Sequence, residues 1–246
     1  MIVDGHAHLG KGREKWLEPT QLVAQMDAYG VNKAVVCPVE EYIILFNRDG
    51  NDYLQKAVQA YPDRLIGFAS VNPWYGASAT EELKRAIGQG LRGLKLHPRI
   101  QGYAITNEIV YPLIELAAEL DIPVYCHTGT YVCAEPFQLA HLARHYPEVN
   151  FIMGHSGAAD FWNDVIPAAR STSNVYLETS KTSPVTVMGL VSQETALRER
   201  VVFGSNLPTS SYPLELAKIR EAISDDELRT NILGKNIMRL LKASGG

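Results

Sequence analysis

The chain has 246 residues, of which 46% are hydrophobic and 20% charged, and its formal net charge is −4. Those totals describe an ordinary globular chain long enough for one large core. They argue against a polyanionic partner, since nucleic-acid binders present a basic patch, and no apolar run of about 18 residues is present to form a membrane helix. The three cysteines, Cys37, Cys126 and Cys133, form no CxxC pair. They fit a reducing cytoplasm and are expected to pack as small apolar side chains. No leader is expected, because strand-like sequence starts within the first ten residues.

Residues 2–8 read as a strand that carries Asp4-Gly5-His6-Ala7-His8. Side chains at i and i+2 of a strand share a face, so Asp4, His6 and His8 are expected on one side, where two imidazoles can hold one metal ion. A helical stretch over 21–29 precedes the second strand, 34–39. The segment 40–51 that follows is expected to act as a lid. Helical patterns over 52–61, 79–88 and 108–120 lead into strands three (65–71), four (91–97) and five (123–127). Strands six, seven and eight cover 150–155, 175–178 and 201–206, and a last helical region spans 213–241.

Strands alternating with helices imply a parallel sheet. Eight such units in a chain of this length match an α/β fold, the (β/α)8 TIM barrel, with a parallel eight-stranded barrel inside and helices outside. One domain, 1–246, is the simplest organisation. The alternative, an open doubly wound sheet, predicts GxGxxG after the first strand. Gly10-Lys11-Gly12 has no third glycine in register, so the barrel is preferred.

Catalytic groups of such barrels lie at the C-terminal ends of the strands. His6 and His8 end strand one, His97 strand four, His127 strand five and His155 strand six, which places five of the seven histidines on one rim. Gly129 and Gly157 follow closely and let the chain turn away beside the imidazoles. His141 and His145 sit at i, i+4 on a helix without the glutamate of HExxH, and are read as a solvated face. His6, His8 and His127 can supply three nitrogens to a zinc ion that keeps a place for water, leaving His155 as the acid or base. The competing view makes His127 and His155 satisfied polar caps of barrel strands. Near the strand-four rim Lys95, His97 and Arg99 suit a substrate carboxylate, whereas Arg92 faces outward by alternation. Trp74, Tyr75 and Tyr131 either line a pocket for a ring or pack as ordinary loop residues.

Together these stretches resemble the amidohydrolase superfamily, in its amidohydrolase-2 branch. The resemblance covers essentially the whole chain. It rests on Asp4-Gly5-His6-Ala7-His8, Arg64-Leu-Ile-Gly-Phe-Ala-Ser-Val-Asn-Pro73, Gly93-Leu-Lys-Leu-His-Pro98, Pro123-Val-Tyr-Cys-His-Thr-Gly129, Met153-Gly-His-Ser-Gly157, Phe203-Gly-Ser-Asn-Leu-Pro208 and the closing Gly234-Lys-Asn-Ile-Met-Arg-Leu-Leu241. It implies that His6, His8 and His127 are ligands of one divalent metal, with zinc favoured over manganese, iron or cobalt, and that His155 activates water or substrate. Lys95 stands on the strand where two-metal relatives carry a carboxylated lysine, and a structural or substrate-binding role is preferred for it here.

One position departs from the pattern. The family's strand-eight aspartate, a metal ligand and base in a Phe-Gly-Ser-Asp-x-Pro context, is replaced by Asn206. An amide oxygen coordinates weakly and is no base at neutral pH. The activity implied is hydrolysis of a small carboxylated amide, ester or lactone, with metal-bound water as nucleophile. The alternatives are a non-oxidative decarboxylase, as in relatives of aminocarboxymuconate-semialdehyde decarboxylase, or a binding protein impaired by Asn206. The expected partner is a small carboxylated molecule, with no nucleic acid and no membrane, and self-association is left open.

Overall fold

Runs of β-branched and apolar residues form the strands of a parallel barrel in the computed structural model, which describes residues 1–157, 160–192 and 195–243. Its barrel strands are β1 (Ile2–Lys11), β2 (Val31–Pro38), β3 in two segments (Leu65–Gly67 and Ala69–Ser70), β4 (Leu94–Leu96), β5 (Val124–His127), β6 (Phe151–Gly154), β7 (Val175–Glu178) and β8 (Val201–Val202). They pair in parallel, as crossover helices between them require. This is the TIM-barrel architecture expected from the alternation.

Regular pairing divides the barrel into two sheets. One seam lies inside β3: the Phe68 N–H donates to Val36 O at 2.8 Å, and the next N–H, of Ala69, turns to Gly93 O at 2.8 Å. The other lies between β1 and the segment following β8. There Gly5 N–H donates to Phe203 O (2.8 Å), Asn206 N–H to His6 O (2.7 Å) and His8 N–H to Leu207 O (2.8 Å). Backbone bonds thus span both seams without a regular ladder, and the second seam carries His6, His8 and Asn206.

Two apolar layers hold the barrel. The interior contains Val3, Val35, Phe68, Tyr125, Ile152 and Val202, closed by Ile237 and Leu240 of the helix Asn236–Ala243. A larger layer, including Leu94, Leu96, Val124, Cys126, Phe151 and Met153, lies against the helices. Alternation therefore turns Lys95, Tyr125 and Ile152 inward. Glycines make room for the interior rings: a Cβ on Gly93 would sit 2.6 Å from the Phe68 ring, and one on Gly154 would strike the Tyr125 hydroxyl.

The segment 40–51 differs from expectation. It folds as the helix Glu40–Ile44 and the start of the helix Asn47–Ala60. Asn47 is buried, its amide donates to Tyr42 O and Ile43 O at 2.8 Å each, and its oxygen accepts from Asn72 N–H at 2.7 Å. With the amides of Asn72 and Gln101 also donating to Ile44 O (2.8 Å) and Ile43 O (3.0 Å), the segment is tied to the stretches after β3 and β4 as a fixed wall rather than a lid. His141 and His145 are exposed on the helix Pro136–His145, as expected. Among the described residues no helix is long and apolar enough to cross a membrane.

Candidate active site

A register slip in β1 sorts its polar residues. Val3 joins the interior cluster, whereas Ala7 and Leu9 belong to the helix-facing layer, and the pairing with β2 shifts between Asp4 and Ala7. His6 and His8 consequently face the interior, and Asp4 does not share their face, which corrects the strict alternation expected from sequence. Asp4 instead accepts from Ser205 Oγ (2.5 Å), Ser205 N–H (2.8 Å), His6 N–H (3.0 Å) and Tyr212 Oη (3.0 Å). Burial pushes its carboxyl up to about 7 against the pull of those donors. It ties β1 to the segment after β8 and is not available to a metal.

All five rim histidines come together. Ring centroids lie 4.7 Å apart for His6–His8, 5.6 Å for His6–His155, 4.6 Å for His127–His155 and 3.7 Å for the stacked pair His97–His127. His8 Nδ1 bonds Pro38 O at 2.9 Å, which leaves its Nε2 as the unprotonated nitrogen. Among the described residues His6 Nε2, Lys95 Nζ, His97 Nδ1 and Asn206 Nδ2 are buried without a hydrogen-bond partner. Unpaired buried polar atoms are rare because each carries a desolvation penalty, and four on residues of this rim are what a ligand site leaves behind.

A second group of possible donors overlaps the expected ligands at His6 and His8. One donor atom from each of His6, His8 and Cys37 can be chosen so that all lie within 4.8 Å of one another. Cys37 Sγ is 3.3 Å from His8 Nδ1 and 3.8 Å from His6 Nδ1. Cys37 was expected to pack as a small apolar residue; it is buried but lies outside both apolar clusters. Cys126, in the helix-facing layer, does pack that way. His127 has its Nδ1 bonded to His155 Nε2 at 3.1 Å, so only its Nε2 remains to face a metal.

A relay runs behind His155. Glu178 accepts from Tyr125 Oη (2.8 Å), His155 N–H (3.0 Å), Ser180 N–H (2.5 Å) and Ser180 Oγ (2.9 Å). Because the Ser180 hydroxyl gives its proton to Glu178, it accepts from His155 Nδ1–H at 2.8 Å. His155 Nε2 is then the acceptor of its ring and takes the bond from His127 Nδ1–H. Burial raises the Glu178 pKa against these four donors. The backbone is held in the left-handed region at His155 (φ 63°), Ser156 (φ 40°) and Asn206 (φ 55°), a conformation disfavoured for residues with a Cβ and concentrated at functional sites. Gly129 and Gly157, at φ 83° and 74°, make the expected turns.

The cluster is electrically lopsided. Burial holds all five imidazoles well below their ordinary pKa, and nearby cations push the same way. They are neutral at pH 7, the form that binds metals. Lys95 is completely buried, with Nζ 3.7 Å from the Tyr125 ring centroid, and burial lowers its pKa to about 8. Lys95 and His97 thus sit inside the site. Arg99 is exposed on the short helix Pro98–Gln101, Arg92 is exposed as alternation predicts, and Trp74 and Tyr131 are largely exposed. Sequence reasoning passed over Cys37, Tyr125, Ser180 and Glu178. Glu178 had a signal of the same kind as the histidines, a polar residue ending an apolar strand.

A sequence model of the family described as Amidohydrolase matches residues 3–243. No protein of curated function matches the sequence. Solved structures resemble the chain over nearly its whole length. Among them are 2,6-dihydroxybenzoate decarboxylase from Rhizobium (18% identity, TM-score 0.78, 99% of each chain covered) and 5-carboxyvanillate decarboxylase from Novosphingobium aromaticivorans, complexed with manganese and 4-hydroxy-3-methoxy-5-nitrobenzoic acid (17%, 0.79, 98% of this chain and 96% of that one). A third is a probable 2-pyrone-4,6-dicarboxylic acid hydrolase from Acinetobacter baumannii with citric acid bound (17%, 0.75, 98% and 99%).

Proposed function

Because the chain belongs to the amidohydrolase family, we propose that it is a metal-dependent enzyme that hydrolyses a small carboxylated amide, ester or lactone. The observation that carries this reading is the set of unpartnered buried atoms, His6 Nε2, Lys95 Nζ and the Asn206 amide, gathered where five neutral imidazoles meet. An imidazole lone pair in that setting suits a divalent ion, and an unpaired ammonium suits a carboxylate.

His6 and His8 would hold the ion, His127 would add its free Nε2, and the amide of Asn206 lies on the same seam. Zinc is the ion preferred. When bound, such an ion polarises a carbonyl oxygen and lowers the pKa of coordinated water to about 7. The chain's own residues do the rest. Lys95 pairs with the substrate carboxylate and orients it. His155 Nε2, on releasing the bond it accepts from His127 Nδ1–H, takes the proton that Asn206, an amide, cannot accept. The imidazolium so formed keeps Nδ1–H on Ser180, whose hydroxyl passes the interaction to Glu178; the direct separation from His155 Nδ1 to Glu178 Oε2 is 3.6 Å. The Tyr125 and Ser180 donors keep that carboxylate in place.

Decarboxylation is the second reading. It is favoured by the Rhizobium and Novosphingobium neighbours, which are decarboxylases of aromatic acids. The test is a panel of aromatic and unsaturated carboxylic esters, amides, lactones and free acids, offered to protein reconstituted with zinc or manganese. Hydrolysed product that falls at least about 100-fold in His155→Ala with metal content unchanged is the expected result. Release of carbon dioxide with no hydrolysed product would put decarboxylation first. Absence of both, in metal-loaded protein, would leave a binding protein and overturn the enzymatic reading.

A further inference from the structure

We infer that Cys37 is a ligand of the metal site and supplies, as a thiolate, the negative charge that an aspartate in place of Asn206 would carry. This rests on the metal-dependent reading above. Cys37 is near the end of β2, two residues after Val35, which faces the barrel interior. Its side chain therefore projects to the same side, toward β1. Cys37 Sγ lies 3.3 Å from His8 Nδ1 and 3.8 Å from His6 Nδ1, and its hydrogen-bond acceptor is Ala7 O at 3.4 Å. The second observation is independent of those sulfur distances: His6 is 2% exposed and its Nε2 has no partner, and one donor atom each from His6, His8 and Cys37 can be chosen within 4.8 Å of one another.

Charge decides what that space needs. A divalent ion would join Lys95, which is buried and unpaired, and two positive centres in a dry pocket require an anion. Three carboxylates near the site are committed elsewhere, among them Glu40 to Lys15 at 3.0 Å. Asp4 is turned to Ser205 and Tyr212, and Glu178 is filled by four donors. Cys37 is placed to respond. As the sulfur–metal bond forms, the S–H bond breaks and its proton leaves to water, so the divalent centre keeps one net positive charge less. A thiolate is a soft ligand and favours zinc or cobalt over manganese. The chain should therefore differ in metal choice from its manganese-bound structural neighbour from Novosphingobium aromaticivorans.

The experiment is cobalt(II) reconstitution of chelator-stripped protein, followed by absorption spectroscopy. The expected spectrum shows a thiolate-to-cobalt charge-transfer band in the near ultraviolet beside the visible d–d bands. That band should vanish in Cys37→Ser and persist in Cys126→Ser. Zinc affinity of Cys37→Ser should fall by more than the roughly tenfold that losing an outer partner of a ligand costs. Bound cobalt with d–d bands but no charge-transfer band in the unaltered protein overturns the inference and leaves the metal site standing. So does a band that survives Cys37→Ser. Failure to take up cobalt or zinc at all sinks both. The spectrum of the unaltered protein decides the matter even if Cys37→Ser does not fold.

Discussion

Lys95 is buried with no hydrogen-bond partner for its ammonium, and burial brings its pKa from 10.5 down to about 8. Between those values the folded chain binds fewer protons than the unfolded chain, so stability rises with pH across the window. Below about pH 8 the full penalty is present, on the order of 3 kcal/mol at about 1.4 kcal/mol per pH unit. Lys95→Met should therefore stabilise the metal-free protein at pH 7, with a gain that shrinks toward pH 10, measured by urea denaturation at several pH values. An unchanged midpoint at pH 7 would mean that the ammonium is compensated in the absence of substrate. The same variant should raise KM for a carboxylated substrate. Ser180 is a positioning residue: Ser180→Ala removes the acceptor of His155 Nδ1–H. It should lower kcat by about tenfold, a smaller loss than His155→Ala, with KM and metal content unchanged. A loss confined to KM would assign Ser180 to substrate binding instead.

At the scale of elements, the seam between β1 and the segment after β8 sets the geometry of the site. Gly5 permits it, since a Cβ there would lie 2.7 Å from Phe203 O. Asp4 locks it through the N–H and hydroxyl of Ser205 and the hydroxyl of Tyr212. Tyr212→Phe removes one of these bonds without opening a cavity and should destabilise by about 1 kcal/mol, read from the shift in denaturation midpoint. Gly154→Ala would drive a methyl group into the Tyr125 hydroxyl. That should cost about 1–3 kcal/mol and disturb the bond from Tyr125 to Glu178, with activity falling more than stability alone explains. Full activity in that variant would show that the Tyr125 hydroxyl is dispensable.

For the whole molecule, parallel winding carries the C-terminal ends of the strands to one rim, and residues as far apart in sequence as His6 and Asn206 meet there. A metal held at this rim joins β1 to its neighbours and so binds the folded chain far better than the unfolded one. Chelation should lower the midpoint of thermal unfolding and re-addition should restore it. The shift should grow with metal concentration, reaching about 2.7 kcal/mol at a hundredfold excess over Kd. A midpoint indifferent to chelator in protein shown to contain metal would place the ion away from the seam.

The sequence by itself determined the architecture and the histidine rim. Both are written in local pattern: apolar runs alternating with helical stretches define the β–α units, and a polar residue ending an apolar strand is carried to the rim by that topology. His6, His8, His97, His127 and His155 could all be placed this way. Only the tertiary structure decided which way Asp4 faces, because a slip in pairing depends on the neighbouring strand and leaves no trace in strand periodicity. It also decided that Cys37 stands beside two imidazoles and not in the apolar layer, that 40–51 is packed helix, and that Glu178 reaches His155 through Ser180. Each of these depends on which residues distant in sequence come into contact, and contact partners are set by the closing of the barrel.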